Sequence, residues 1–384
     1  MKNILLVEPD YPAQYPPIGL LKIASMERHI HKANILPLIR GCGLVDGPDP
    51  DQIFITSLFT WERKRVHDAI AYYHALYPAA QIVVGGIYAA LFKGELEKKF
   101  PYIYTLSHSP TGKILWEWAD HYLPAYDLLA ESPKWNSWGK SIMFMSRGCI
   151  RSCPWCIVPT LEGKIHDHPF PVANLVYPGH TGIVLWDNNL LAAPNAERVI
   201  HELHDIGLTV DINQGLDARL VTEDIAGLLA DLRVPLIRLA YDSKFVADPV
   251  EHAIDNLAAA GIRTRKIVLY NLYNFAATST PALTDTPESF MDIIRHTLNM
   301  GVASYPMRYV PLDATARNGY ISPAWTKRQL DNVADTRGAL GKHGAIFPSA
   351  ENTRSINDAA TFADFFDRCT DQKGRKYTPE GAAA

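Results

Sequence analysis

Ile142-Met143-Phe144-Met145-Ser146-Arg147-Gly148-Cys149-Ile150-Arg151-Ser152-Cys153-Pro154-Trp155-Cys156 holds three of the chain's five cysteines within eight residues. The apolar run 142–145 reads as a buried strand, and the cysteines as a loop at its carboxyl end. An odd number of cysteines cannot all pair, and disulfide frameworks spread theirs through small secreted domains. Clustered in a chain of 384 residues, these read as metal ligands. Three thiolates on one loop can ligate three irons of a cubane cluster and leave the fourth open. An open coordination position is what a catalytic cluster needs and a structural one does not.

Downstream of this loop the chain alternates. Strand patterns fall at 142–145, 183–186, 209–212, 237–241, 267–272 and 304–309, with helical patterns at 195–206, 222–232, 249–260 and 286–300 between them. Asp285-Thr286-Pro287-Glu288 is an N-cap signature, and Gly207, Gly261 and Gly301 sit just past helices, where a left-handed cap is wanted. Six strands, each followed by a helix or loop, predict a partial (β/α)6 barrel over 141–313, with the cysteine loop at the end where barrel active sites assemble.

Upstream, residues 1–125 alternate too. Apolar runs at 4–7, 35–39, 53–58 and 82–84, with helical segments at 18–30 and 61–76, predict an α/β, doubly wound (Rossmann/flavodoxin-like) domain with a parallel sheet covered on both faces. Between Ile39 and Ile53, Gly41-Cys42-Gly43 and Gly47-Pro48-Asp49-Pro50 are too broken for the usual crossover helix. Residues 126–140 read as a connector. Residues 314–384, with one helical pattern at 325–340 and an apolar stretch at 362–366, read as a small C-terminal extension ending in a frayed tail.

Composition is that of a globular protein, 47% hydrophobic and 20% charged. A net charge of −4 argues against general attraction to nucleic acid. No apolar run approaches the roughly 18 residues of a membrane span, and the N-terminus enters a strand pattern with no cleavage region, so a cytoplasmic protein is expected. His201-Glu202-Leu203-His204 imitates a metalloprotease helix with its histidines three apart instead of four, and reads as a solvated face. Trp61–Arg65 and 373–376 are short basic stretches of the same kind, and Cys42 and Cys369 are isolated.

The C-x3-C-x2-C spacing, with Trp155 before the last cysteine, resembles the signature of the radical S-adenosylmethionine superfamily, over roughly residues 141–313. The resemblance implies a [4Fe-4S] cluster on Cys149, Cys153 and Cys156, S-adenosylmethionine chelated at the open iron, a flavodoxin- or ferredoxin-like reductant, and a 5′-deoxyadenosyl radical that abstracts hydrogen from substrate. Where the superfamily carries a Gly-Gly-Glu-like segment, this chain has Trp186-Asp187-Asn188-Asn189, so Asp187 or Asn188 would substitute. After the third strand come Gln214, Asp217 and Arg219; Arg219 would hold the cofactor carboxylate and Asp217 a ribose hydroxyl. Arg238 and Asp242 flank the fourth strand, Tyr270-Asn271 ends the fifth, and Tyr305–Tyr309 forms the sixth.

Val7-Glu8-Pro9 and Tyr15–Leu21, with Ser57, Thr60 and Val84-Gly85-Gly86, resemble cobalamin-binding domains attached to radical enzymes. The usual Asp-x-His-x-x-Gly ligand motif is replaced by Pro9-Asp10-Tyr11. Three functions stand open at this point. The first is hydrogen abstraction from an unidentified small molecule or nucleobase. The second is a cobalamin-dependent radical methyltransferase. The third is a non-catalytic module stabilised by zinc, with His166 or His168 completing a Cys3His set.

Overall fold

Four consecutive residues of the first strand, Ile4, Leu5, Leu6 and Val7, are removed from solvent entirely. Only a strand with protein on both faces buries a continuous run of this kind. A computed structural model of the chain describes residues 1–106, 119–277, 280–341 and 343–372, and side chains as far as 367. The fold is α/β with mostly parallel sheets. It divides into two compact units: Met1–Ile142 with Pro169–Ile183 and Pro311–Gly319, and Met143–His168 with Val184–Val310 and Tyr320–Ala384.

In the first unit, β1 (Asn3–Glu8) pairs in parallel with β2 (Asn34–Arg40) on one side and β3 (Gln52–Thr56) on the other. β4 (Gln81–Gly85) and β5 (Ile103–Thr105) continue the parallel sheet, in the order β2-β1-β3-β4-β5. The pleat sends Ile4, Leu6, Phe54 and Val83 toward Leu20, Ile23 and Ala24 of α1 (Ile18–His31). It sends Leu5, Val7, Ile53 and Ile55 toward Val66, Ile70 and Tyr73 of α2 (Arg63–Leu76). Each such aliphatic side chain contributes about 1.5–3 kcal/mol on burial. Residues 41–51 contain no helix, as their glycines and prolines predict. The short α3 (Ile87–Leu91) and α4 (Lys93–Lys99), and β5, were not legible as patterns.

Residues 126–140, read as a connector, pack closely. Tyr126, Leu129 and Trp135 are buried, and the Trp135 indole donates to the buried carboxylate of Glu8 at 3.0 Å. Lys22 forms a buried ion pair with Asp120.

Two short sheets hold the remaining long strands. β6 (Lys140–Met143) is followed by a two-residue antiparallel ladder, β7 (Ser146–Arg147) with β8 (His166–Asp167), and α5 (Val158–Leu161) lies between these two. Expected as one strand over 142–145, the chain breaks after Met143 and starts again at Ser146. β9 (Gly182–Leu185), α6 (Ala196–Ile206), β10 (Thr209–Ile212) and α7 (Glu223–Ala230) come next. β11 (Ile237–Ala240), α8 (Ala247–Ala259), β12 (Ile267–Tyr273), α9 (Pro287–Asn299) and β13 (Ala303–Arg308) complete the alternation. The sheets run β10-β9-β6 and β11-β12-β13, the second all parallel. Leu216 stitches them together: its N–H donates to the Arg238 carbonyl at 2.8 Å, and its carbonyl accepts from Ala240 at 3.1 Å. α9 begins at a capping box between Thr286 and Ser289. His201 and His204 lie on the exposed side of α6.

The C-terminal segment is a packed part of the second unit and not an appendage. α10 (Lys327–Ala339), α11 (Ala350–Asp358) and α12 (Phe362–Gln372) follow in order. Trp325, Leu330, Val333, Phe362, Phe365 and Phe366 build an aromatic core with Phe290 and Ile294 of α9. Ser304 and Ile346 exchange backbone hydrogen bonds at 3.0 and 2.7 Å. α11 carries no legible pattern in the sequence because AENTRSIND offers an apolar stripe of little more than Ile356. The Cys369 side chain, the basic stretch 373–376 and the terminal tail lie outside the described residues.

Candidate functional site

Residues 148–165 form a loop whose two ends are clamped by the β7–β8 ladder, Ser146 opposite Asp167 and Arg147 opposite His166. Gly148 opens it with φ +81°, and a Cβ there would fall 2.4 Å from the Lys164 carbonyl oxygen. Only glycine fits so close a backbone approach. The Cys149 N–H then donates to the Gly163 carbonyl at 3.3 Å.

Two carboxylates brace the loop. Glu162 accepts the Gly148 N–H at 2.9 Å, the Asn188 amide at 2.7 Å and Arg147 at 3.0 Å. Asp187, 3% exposed, accepts the Met145 N–H at 3.0 Å and the Ser146 hydroxyl at 2.7 Å. Burial lifts its pKa to about 6 against these donors. Asp187 and Asn188, expected to contact a cofactor, bond to the base of the cysteine loop.

Cys149, Cys153 and Cys156 are free thiols. Burial pushes the Cys153 thiol up, and the neighbouring Cys156 and Asp242 push it further, while Arg219 opposes. Burial likewise raises Cys156; the Val158 N–H works against it, and Cys149, Asp242 and Glu162 add to it. The Arg219 guanidinium is the cation that opposes the rise at Cys153. A thiolate set of this kind calls for positive charge, which a bound metal centre supplies as it displaces the thiol protons. This donor chemistry fits an iron–sulfur cluster. Among the described residues, no three His, Cys, Asp or Glu side chains converge as a site for a single ion. The His166 ring lies against the Lys164 carbonyl at 3.1 Å.

Other polar groups ring the loop. Trp155 donates its indole N–H to Asp242, which also accepts the Leu272 N–H. Dense surroundings raise Asp242 to about 7, although part of its surface meets solvent. Asp217 is held by Arg219 at 2.6 Å and Arg151 at 2.9 Å. Burial opposes its ionisation, but the two guanidiniums outweigh burial and hold it below the usual carboxylate range. Arg219 keeps 36% of its side chain exposed, and Gln214 is exposed. The Asn189 side chain, from the loop after β9, donates Nδ2–H to Cys149 Sγ at 3.5 Å, while its buried Oδ1 has no partner.

Arg238, Tyr270 and Asn271 have partners within the strands themselves. Arg238 pairs with Asp211 at 2.6 Å across β10 and β11. Tyr270 lies edge-on to Tyr305 at 5.5 Å and over Gly215, where a Cβ would come within 3.3 Å of its ring. Asn271, fully buried, accepts from Ser304 at 2.6 Å and donates to the Tyr241 carbonyl at 3.2 Å, so it locks β11, β12 and β13 together. Sequence reasoning missed Glu162, Arg151 and Asn189. Their partners are loop backbone, a carboxylate and a sulfur far along the chain, and no local pattern marks them.

A cobalamin pocket at the carboxyl edge of the first sheet does not fit the residues there. Tyr11, where the ligand histidine would stand, is 2% exposed and packs edge-on against Phe59. Arg40 donates to the Tyr11 carbonyl and pairs with Glu8 at 3.4 Å, and Trp135 closes over Glu8 from the other side. A Cβ on Gly86 would fall 2.2 Å from the Ser57 carbonyl oxygen. This glycine is spent on close packing against the Ser57 backbone.

No protein-family model matches this chain, and no curated protein matches it. Among the described residues, no helix is long and apolar enough to cross a membrane.

Proposed function

We propose that this chain is a radical S-adenosylmethionine enzyme, holding a [4Fe-4S] cluster through Cys149, Cys153 and Cys156. The observation that carries the reading is the clamped loop, which presents Cys149, Cys153 and Cys156 as free thiols within eight residues. The architecture supports it. Six strands follow one another in chain order from β6 to β13, joined at Leu216, as a partial barrel requires. The order β2-β1-β3-β4-β5 of the first sheet, with helices on both faces, supports the flavodoxin-like doubly wound reading.

When bound and reduced, such a cluster supplies reductive cleavage of a sulfonium and hydrogen abstraction by a deoxyadenosyl radical. The chain's own residues prepare that chemistry. Glu162 and Asp187 fix the loop backbone. Trp155, pinned by Asp242, sets the turn between Cys153 and Cys156, whose N–H returns to the Cys153 carbonyl at 3.0 Å. Asn189 Oδ1, buried without a partner, would accept from the cofactor's amino group. Arg219, paired with Asp217 along one side only, is the cation for its carboxylate. The packed edge of the first unit favours hydrogen abstraction over corrin-dependent methyl transfer. A small electron carrier of the flavodoxin or ferredoxin type is the expected reductant, and a small molecule or nucleobase the substrate.

The test is anaerobic reconstitution of the full chain with iron and sulfide. The proposal expects about four irons and four sulfides per chain, a reduced-cluster electron paramagnetic resonance signal altered by S-adenosylmethionine, and 5′-deoxyadenosine on turnover. Retention of zinc in place of iron, with no deoxyadenosine formed, would sink it in favour of a metal-stabilised module.

A further inference from the structure

Among the described residues, one side chain from outside the loop donates a hydrogen bond to a ligand sulfur. Asn189 is 4% exposed and sits at the start of the turn after β9. Its Nδ2 lies 3.5 Å from Cys149 Sγ, and the Arg151 backbone N–H reaches the same sulfur at 3.3 Å. The opposite end of the amide, Oδ1, is buried without a partner. A thiolate only accepts, so the amide can meet Cys149 with its N–H alone. This fixes which way the group faces.

We infer that Asn189 is a positioning residue that sets the reduction potential of the centre bound at Cys149, through its Nδ2–H···Sγ hydrogen bond. This inference rests on the cluster reading above. Reduction adds an electron, and part of the new negative charge falls on the ligating sulfurs. A donor aimed at a sulfur stabilises the reduced form more than the oxidised one and raises the potential. Burial strengthens the effect, because no water replaces the amide and the local dielectric is low. The neighbouring side chains do not compete for the sulfur: Asn188 is committed to Glu162 and Asp187 to Ser146.

The test compares the wild-type protein with Asn189→Leu, which keeps the branched shape and removes the donor. Both are reconstituted anaerobically, assayed for iron and sulfide, and titrated potentiometrically with the reduced signal as readout. At equal cluster content, Asn189→Leu should lower the equilibrium constant for reduction by about tenfold, which for one electron is about 59 mV. A second measurement needs no variant: electron–nuclear double resonance of reduced wild type carrying 15N-asparagine should show a weak 15N coupling and an exchangeable proton at the cluster. An unchanged potential in a fully loaded Asn189→Leu, or no 15N coupling in wild type, overturns the inference and leaves the cluster reading standing. If wild type itself takes up no iron, the cluster reading fails first, and this inference with it.

Discussion

The hydroxyl of Ser146 donates to the carboxylate of Asp187 at 2.7 Å, and both groups are almost wholly buried. The same carboxylate takes the Met145 N–H, so one side chain after β9 holds the backbone that launches the cysteine loop. Asp187→Ala leaves these donors without an acceptor in a site water does not reach. Each unsatisfied buried donor costs about 1–3 kcal/mol. The variant should unfold at lower denaturant and, once reconstituted, release iron to a chelator faster than wild type. Equal stability and equal iron release would remove Asp187 from this role.

Replacing Cys149, Cys153 or Cys156 singly by alanine should abolish the reduced-cluster signal and most bound iron. Cys42→Ala, an exposed thiol of the first unit, should change neither. Iron and sulfide analysis beside electron paramagnetic resonance checks all four variants.

Arg219 opposes the burial that raises the Cys153 thiol. In metal-free protein, Arg219→Ala should therefore push that thiol higher still. The pH profile of alkylation at Cys153, followed by mass spectrometry, should move to higher pH. A profile that stays put would mean that solvent already screens the guanidinium from the sulfur.

Asp285 accepts from the backbone of Asn274 at 2.9 Å, from Phe275, and from the Trp325 indole at 2.9 Å. Burial raises its pKa from 3.8 to about 6 in spite of these donors. The folded state thus binds the proton more tightly than the unfolded chain. The associated stability is fully present below about pH 4 and is lost as pH rises through about 6. A tenfold difference in proton affinity between the two states is worth about 1.4 kcal/mol. Asp285→Asn should be less stable throughout, and its unfolding free energy should vary less across that window than the wild type's. Denaturant melts at several pH values measure both effects.

Much of the architecture was legible because burial writes itself into residue type. The runs around Leu5, Ile53 and Val83 announce buried parallel strands, and 41–51 announces a missing helix through its glycines and prolines. The cysteine loop was equally plain. The roles of the polar residues were not. Asp187 and Asn271 look like ligand contacts in one dimension because a carboxylate or amide at a strand end is the same letter whether it meets a cofactor or a backbone N–H. What separates the two uses is the neighbour's distance, and Ser146 lies 41 positions from Asp187. Aromatic packing of the last segment was hidden for a similar reason: besides stacking on each other, Phe366 meets Phe290 of α9 and Phe362 meets Trp325, both far away in sequence.

The ladder of Ser146 and Arg147 with His166 and Asp167 ties off the cysteine loop through backbone pairing of the polypeptide alone. Closing a chain segment costs conformational entropy that grows with the logarithm of its length, and here folding has already met that cost. Inserting a cluster would then need to order side chains alone. Oxidative loss of iron should strip function while the polypeptide keeps its shape, and an emptied molecule could be refilled without passing through an unfolded chain.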